Sequence, residues 1–298
     1  MSTTKRGPYK KYTRRFTNEP RCEHGHTRRE HPRCFEDNEY KPKENAKILL
    51  LDVETTPINA FIWGLWDQTI SIDAIIQDWH FICWSAKWIF TTEILTDCLT
   101  SEEAKNHDDI RVSKSLWELL NQADIVVSHN GNKFDLKRMN TRFLYHNMLP
   151  PTEYKTIDTL KIAREQFSFT SNKLDYINKF LGLQEKTETG YDLWRRCFYG
   201  DEKALHEMQR YNMNDVSILE DLYLYLRPYI KGHPNLNLWS VESISICPNC
   251  GSKELIWKGN YYTNTLRYSA FRCTDCGAVG RAKTNNLSKE KRATIVKS

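Results

Sequence analysis

The sequence contains no apolar run approaching the ~20 residues that a membrane-spanning helix needs, so a membrane protein is not expected. The N-terminus, MSTTKRGPYKKYTRR, is basic, but no apolar region follows it, which does not fit a secretory signal. There is no internal repeat. The middle of the chain lacks net positive charge. Residues 1–45 hold twelve Lys/Arg and seven Asp/Glu, residues 281–298 hold six Lys/Arg and one Glu, and the whole chain is +5, which leaves −5 for residues 46–280. An acidic centre between basic ends suits a carboxylate-based site with arms that grip a polyanion, and equally suits two solvated tails.

What is present is cysteine, nine in all. Cys247-x-x-Cys250 and Cys273-x-x-Cys276 form close pairs, and Cys22 and Cys34 lie among histidines. Without a secretory signal this spacing reads as metal binding in a reducing cytosol rather than as disulfides. Cys83, Cys98 and Cys197 are isolated in sequence and read as buried filler. The cluster of Trp63, Trp66, Trp79, Trp84 and Trp88 reads as an aromatic core wall in preference to a base-stacking platform.

Four regions follow: a polar, basic segment at 1–45, a core at 46–235, a Cys-paired module at 240–282, and a basic tail at 283–298, with His233-Pro234-Asn235 as a linker. The core opens with AKILLLDVE, a continuous apolar run expected of a buried central strand. A second strand alternates Ile82, Trp84, Ala86 and Trp88 with Cys83, Ser85 and Lys87. A helix is predicted near 113–122 and a short strand over 124–128. The pattern is then mostly helical from about 134, ending in a long helix near 201–227. Strands first, then alternation, then helices imply an α/β core with a mixed sheet.

Three motifs carry chemistry. Asp52 and Glu54 end the first strand, and a spacing of two sends both carboxylates to one face. Such a pair is costly unless a cation joins it, and oxygen donors suit Mg²⁺ or Mn²⁺; two exposed strand-end acids are the plainer reading. Next, His129-Asn130-Gly131-Asn132-Lys133-Phe134-Asp135 turns from the short strand into a helix. This puts Asp135 in the first helical turn at the carboxyl end of a strand, where sites of open α/β sheets lie; Asn130 or Asn132 alone could be a cap. Last, Tyr211 and Asp215 lie four apart on the long helix and share a face.

Together these motifs resemble the DnaQ-like exonuclease superfamily of the DEDDy type, with Asp52-Val53-Glu54-Thr55, then Asn130 to Phe134-Asp135, then Tyr211 to Asp215 in family order over residues 46–228. Arg210 stands where the sister subgroup has His. Ile157-Asp158-Thr159-Leu160 and Lys173-Leu174-Asp175-Tyr176 resemble inter-motif segments, with capping an equal reading for Asp158. The nearest likeness is to uncharacterised nucleases of bacteria and their viruses, near the YprB-type group. The resemblance implies a ribonuclease H-like mixed sheet flanked by helices and a 3′→5′ exonuclease in a bacterial or phage-infected cytosol. It also implies two Mg²⁺ or Mn²⁺ per site held by Asp52, Glu54, Asp135 and Asp215. By the same resemblance Tyr211 orients the attacking water, and Thr55 and Asn130 contact the terminal nucleotide. The substrate is nucleic acid, DNA favoured and RNA open. A structure-directed endonuclease or flap nuclease, and a non-catalytic zinc-ribbon binding protein, are the alternatives.

Cys247, Cys250, Cys273 and Cys276, with apolar segments between the pairs, are expected to form a closed four-cysteine zinc ribbon, a structural site. Lys253, Lys258, Arg267 and Arg272 favour nucleic acid over protein as its partner. Cys22, His24, His31 and Cys34 resemble a small zinc knuckle in which His31 replaces a Cys, a candidate second zinc site, with His26 spare.

Overall fold

The computed structural model describes residues 46–64, 66, 69–183, 189–241 and 243–297. The expected knuckle at Cys22, His24, His31 and Cys34 lies outside the described residues. By packing, the chain divides into two compact units, between Leu222 and Tyr223.

The larger unit is built on a five-stranded mixed sheet. Its first strand, β1 (Ile48–Thr55), is central because Leu49, Leu50 and Leu51 are apolar on both faces and fully buried. After a short pair, β2 (Asn59–Ala60) and β3 (Ile75–Gln77), come β4 (Phe81–Trp88) and β5 (Leu95–Cys98). Helices α1 (Ser101–Asn106) and α2 (Ile110–Leu120) follow, then β6 (Ile125–Ser128), α3 (Asp135–Tyr145) and β7 (Lys155–Asp158). Next are α4 (Thr159–Gln166), α5 (Leu174–Leu181), α6 (Tyr191–Phe198) and α7 (Glu202–Leu226). The strand order is β5-β4-β1-β6-β7, with β4 antiparallel to β1 and β5, and β6 parallel to β1 and β7. This topology is consistent with a ribonuclease H-like fold, as the sequence led us to expect.

Two sequence expectations change. The stretch after 134 is not purely helical, because β7 joins the sheet edge; its four residues, Lys-Thr-Ile-Asp, alternate too little to be read as a strand. The tryptophan wall is only partly a wall. Trp84 is 5% exposed and donates its Nε1–H to the Val112 carbonyl at 3.1 Å, whereas Trp63 and Trp66 are 105% and 85% exposed. Those two lie between β2 and β3, where the chain leaves the sheet, and among the described residues nothing covers them enough to bury them. The three remaining cysteines are core filler as expected: Cys83 and Cys197 are buried in the apolar core, and half-buried Cys98 packs against it, opposite Cys83 across β4 and β5, with its Sγ 3.6 Å from the Leu205 carbonyl.

One buried charge network ties the sheet to its helices. Asp109, preceding α2 and fully buried, accepts from the Phe81 amide (2.8 Å) and from Arg142 Nε (2.7 Å). Its other oxygen meets Arg142 Nη2 (2.5 Å) and His146 Nε2 (2.6 Å). Burial pushes the Asp109 carboxyl up, but the hydrogen bonds from Arg142, Phe81 and His146 outweigh it and leave the group below the usual carboxylate range. Removing one member of a buried ion pair strands the other charge. Asp109→Ala should therefore cost about 3–5 kcal/mol of unfolding free energy, measured by urea denaturation at neutral pH. Because the folded-state pKa is lowered, this contribution is present above the unfolded carboxylate pKa and lost as pH falls through the folded one. The gap between wild type and Asp109→Ala should close in acid.

The smaller unit, from Tyr223 onward, holds the end of α7 and a three-stranded antiparallel sheet. Its strands are β8 (Leu255–Tyr262), β9 (Arg267–Cys273) and β10 (Val279–Asn285), in order β10-β9-β8. A short helix, α8 (Lys289–Ala293), follows. His233 is buried, and its Nε2 lies 2.7 Å from the Tyr223 hydroxyl. Asn249 Nδ2 donates to the carbonyls of Arg227 (2.8 Å) and Ile230 (3.0 Å), closing the end of α7 onto the first cysteine knuckle. Among the described residues no helix is long and apolar enough to cross a membrane.

Candidate active site

Asp52 and Glu54 sit two apart on β1, and the strand pleat turns both half-buried carboxylates to one side. Asp215 comes from α7, one helical turn beyond Tyr211 on the same face. One carboxylate oxygen from each of Asp52, Glu54 and Asp215 lies within 4.8 Å of the others. Asp135 opens α3 and is buried, with Oδ1 accepting from the Val53 amide at 3.4 Å. All four carboxylates, with Asn130 and Tyr211, line one cavity of about 1110 Å³.

Three carboxylates this close repel one another unless a cation joins them. Burial pushes the Asp135 carboxyl up to about 7, with neighbouring Asp158 adding to the shift and amide hydrogen bonds opposing it. An oxygen-only donor set beside such a group fits a hard divalent ion, which would favour the ionised form of every member.

The surrounding side chains hold this geometry. Asn212 is fully buried and donates its Nδ2–H to Asp52 Oδ2 at 2.6 Å. Trp194 Nε1 donates to Glu54 Oε2 at 3.1 Å, and its ring meets Tyr211 edge-on, centroids 5.8 Å apart. Neither role was visible in sequence. Asn212 lay unremarked between Tyr211 and Asp215, and Trp194 belongs to a helix with no spacing relation to β1. Groups that orient metal ligands typically matter 10–100-fold. Trp194→Phe should accordingly raise the Mg²⁺ concentration for half-maximal activity by about tenfold while leaving the fold intact.

Arg138 was also missed. Its guanidinium lies over the rings of Phe134 (4.2 Å) and Trp79 (4.6 Å) and donates to the Thr55 hydroxyl. Burial lowers the Arg138 pKa, opposed by the charges of Asp135, Glu54 and Asp78. Thr55, expected at the terminal nucleotide, is buried and occupied by Arg138, and it is not among the residues lining the cavity.

The loop between β6 and α3 is tightly constrained. Asn130 takes a left-handed backbone conformation (φ 68°), and its amide donates to Asp158 Oδ1 at 3.0 Å. Asp158 also caps α4 through the Leu160 and Lys161 amides, so the capping reading of this residue holds. A Cβ on Gly131 would lie 1.8 Å from Ser128 Oγ and 2.5 Å from Ser128 Cβ, so only glycine fits there.

Residues 91–227 match the family model of the RNase_H superfamily. The match takes in Asp135, Tyr211 and Asp215 and begins after β1, which carries Asp52 and Glu54. Among solved structures, the chain is similar to the family B DNA polymerase from the hyperthermophilic archaeon Pyrobaculum calidifontis, at 14% identity and a TM-score of 0.46. That similarity covers 64% of this chain and 26% of the polymerase, so the chain spans about a quarter of its length. No curated protein matches by sequence.

In the smaller unit, Cys247 Sγ lies 3.6 Å from Cys276 Sγ, and Cys250 Sγ lies 3.6 Å from Cys273 Sγ. A tetrahedron of 2.3 Å metal–sulfur bonds has an edge of about 3.8 Å. Each knuckle closes alike: Gly251 and Gly277 take positive φ, and their amides return to the Cys247 and Cys273 carbonyls at 2.9 and 3.0 Å. Hydrogen bonds from Cys247, Cys250 and Cys276 drive the Cys273 thiol strongly toward thiolate. The cluster fits a zinc ribbon.

Proposed function

We propose that this chain is a metal-dependent 3′→5′ exonuclease that hydrolyses phosphodiester bonds of nucleic acid, DNA being the favoured substrate. The observation that carries the reading is the convergence of Asp52, Glu54 and Asp215 within 4.8 Å, in a cavity shared with Asp135 and Tyr211. The sequence resemblance and the RNase_H superfamily match over residues 91–227 support it.

Two Mg²⁺ or Mn²⁺ ions would activate water and stabilise the attacking and leaving oxygens. Asp52, Glu54 and Asp215 would hold them, with Asp135 completing the set. Asn212 and Trp194 fix the carboxylates of Asp52 and Glu54 in place before substrate arrives. Tyr211, on the same helix face as Asp215, would orient water toward the scissile phosphorus. Asn130, at the cavity edge, would contact the terminal nucleotide. Zinc in the four-cysteine cluster would be structural, since every ligand position is filled by cysteine.

The test uses full-length protein with Mg²⁺ or Mn²⁺ on 5′-labelled linear and on circular single strands of DNA and RNA. Ladders shortening from the 3′ end, with circles intact, are the expected result. Nicked circles would replace this reading with an internal cutter, and inactivity on every substrate would overturn the enzymatic reading.

A further inference from the structure

The cavity that holds the carboxylates has a second wall of opposite sign. Its volume of about 1110 Å³ exceeds the ~300–1,000 Å³ usual for small-molecule pockets, so it has room beyond a single terminal nucleotide. Arg164 from α4, Lys173 at the start of α5 and Lys179 within α5 line it, against one carboxylate on that wall, Asp175. Among the described residues none of the three cations enters an ion pair, although Lys161, on α4 but outside the cavity, pairs with Glu165 at 3.8 Å. Three exposed, unneutralised cations inside an acidic core are a local exception to its charge.

The wall is also held in place and aromatic. His129 Nδ1 lies 2.9 Å from Thr159 Oγ1 and its Nε2 lies 2.9 Å from the Asn172 carbonyl. That bridge fixes the residue just before Lys173 to the end of the strand that leads into Asp135. Tyr176 lines the cavity between Lys173 and Lys179, with its ring nearly parallel to that of Phe180 (24°, centroids 6.4 Å apart). Cations that track a phosphate backbone, interleaved with a ring that can take a base, are the chemistry of single-strand binding, because bases in a duplex have no free face to offer.

We infer that the α4–α5 wall is a single-strand subsite, in which Arg164, Lys173 and Lys179 hold backbone phosphates and Tyr176 stacks a base of the strand leading to the carboxylates. This rests on the nuclease reading for its direction, but binding can be measured without catalysis. The experiment uses zinc-loaded full-length protein without added Mg²⁺ or Mn²⁺, with a labelled 12-nucleotide single strand and a 12-base-pair duplex, and reads anisotropy across a salt series. The triple variant Arg164→Gln/Lys173→Gln/Lys179→Gln should bind the single strand about tenfold more weakly, and its log K against log salt slope should be shallower by up to about 2, at ~0.7 per phosphate. Tyr176→Ala should weaken single-strand binding roughly 5- to 150-fold with little change in slope, as expected when one stacked base is lost. Lys161→Gln removes one charge outside the cavity and should match wild type. Circular dichroism verifies that each variant is folded.

Wild-type affinity and slope in the triple variant would overturn the inference, as would equal losses on single strand and duplex. A failure of the nuclease reading shows separately, as absence of Mg²⁺- or Mn²⁺-dependent cleavage by wild type with the binding differences still present.

Discussion

Asp215→Asn is expected to lower kcat/KM by about 10²–10³-fold, the range lost when one electrostatic element of a preorganised site is removed. The substitution keeps shape and volume, so the buried face of α7 should tolerate it, while the cluster loses one of three charges set within 4.8 Å. Asp52→Ala should be as inactive but less stable, because it also leaves the buried Asn212 side chain without its acceptor. Nucleic-acid affinity without added Mg²⁺ or Mn²⁺ should hold in Asp215→Asn, since the phosphates are held elsewhere. Chelation should silence the wild type, with Mg²⁺ or Mn²⁺ restoring it. Wild-type turnover by Asp215→Asn would remove the carboxylate cluster from the chemistry.

The second large effect belongs to the small unit. The three-stranded sheet β10-β9-β8 is thinly cored: among the described residues its buried apolar side chains are cysteines, Ile246, Tyr268, Phe271 and Ala278, with Leu255 packed against the cysteines. So few side chains cannot offset the chain entropy of ordering such a unit. Metal binding at structural zinc sites supplies about 10–16 kcal/mol, and the zinc proposed for this cluster would be the main source of order. Cys273→Ser, or a strong chelator, should unfold residues from about 245 onward, read as loss of amide-exchange protection in β8 to β10. Protection in β1, β4 and β6 should persist, because their core is independent of those cysteines. Native mass spectrometry should show one zinc on this unit in the wild type. A fully protected ribbon in metal-free protein would exclude the metal as its organiser.

What could be read from sequence was whatever repeats with the period of a single element. The spacing of Asp52 and Glu54 follows the strand repeat, that of Tyr211 and Asp215 the helix turn, and the cysteine pairs the reach of a knuckle. The central strand was legible because a run such as Leu49-Leu50-Leu51 can sit only where both faces are covered. What could not be read depends on pairings across the fold. Trp194 reaches Glu54 from 140 residues away, and Arg138 reaches Thr55 from 83. No local pattern encodes such contacts. β7 was hidden because a four-residue edge strand carries almost no periodic signal. Trp63 and Trp66 misled for the opposite reason: a strongly apolar residue type was taken to imply burial, which holds only in the other direction.

The fit of Gly131 against Ser128 has a consequence for how this protein tolerates change. A comprehensive substitution library, scored for cleavage, would show intolerance at Gly131 comparable to that at Asp52 or Asp215, although glycine offers no functional group. Alanine is the smallest replacement, and its methyl would already lie 1.8 Å from Ser128 Oγ. The loop would have to move away from β6, carrying the first turn of α3 and Asp135 with it. A library would therefore flag this backbone position as if it were chemistry, and a paired Ser128→Gly change, which removes the obstructing side chain, should restore part of the loss.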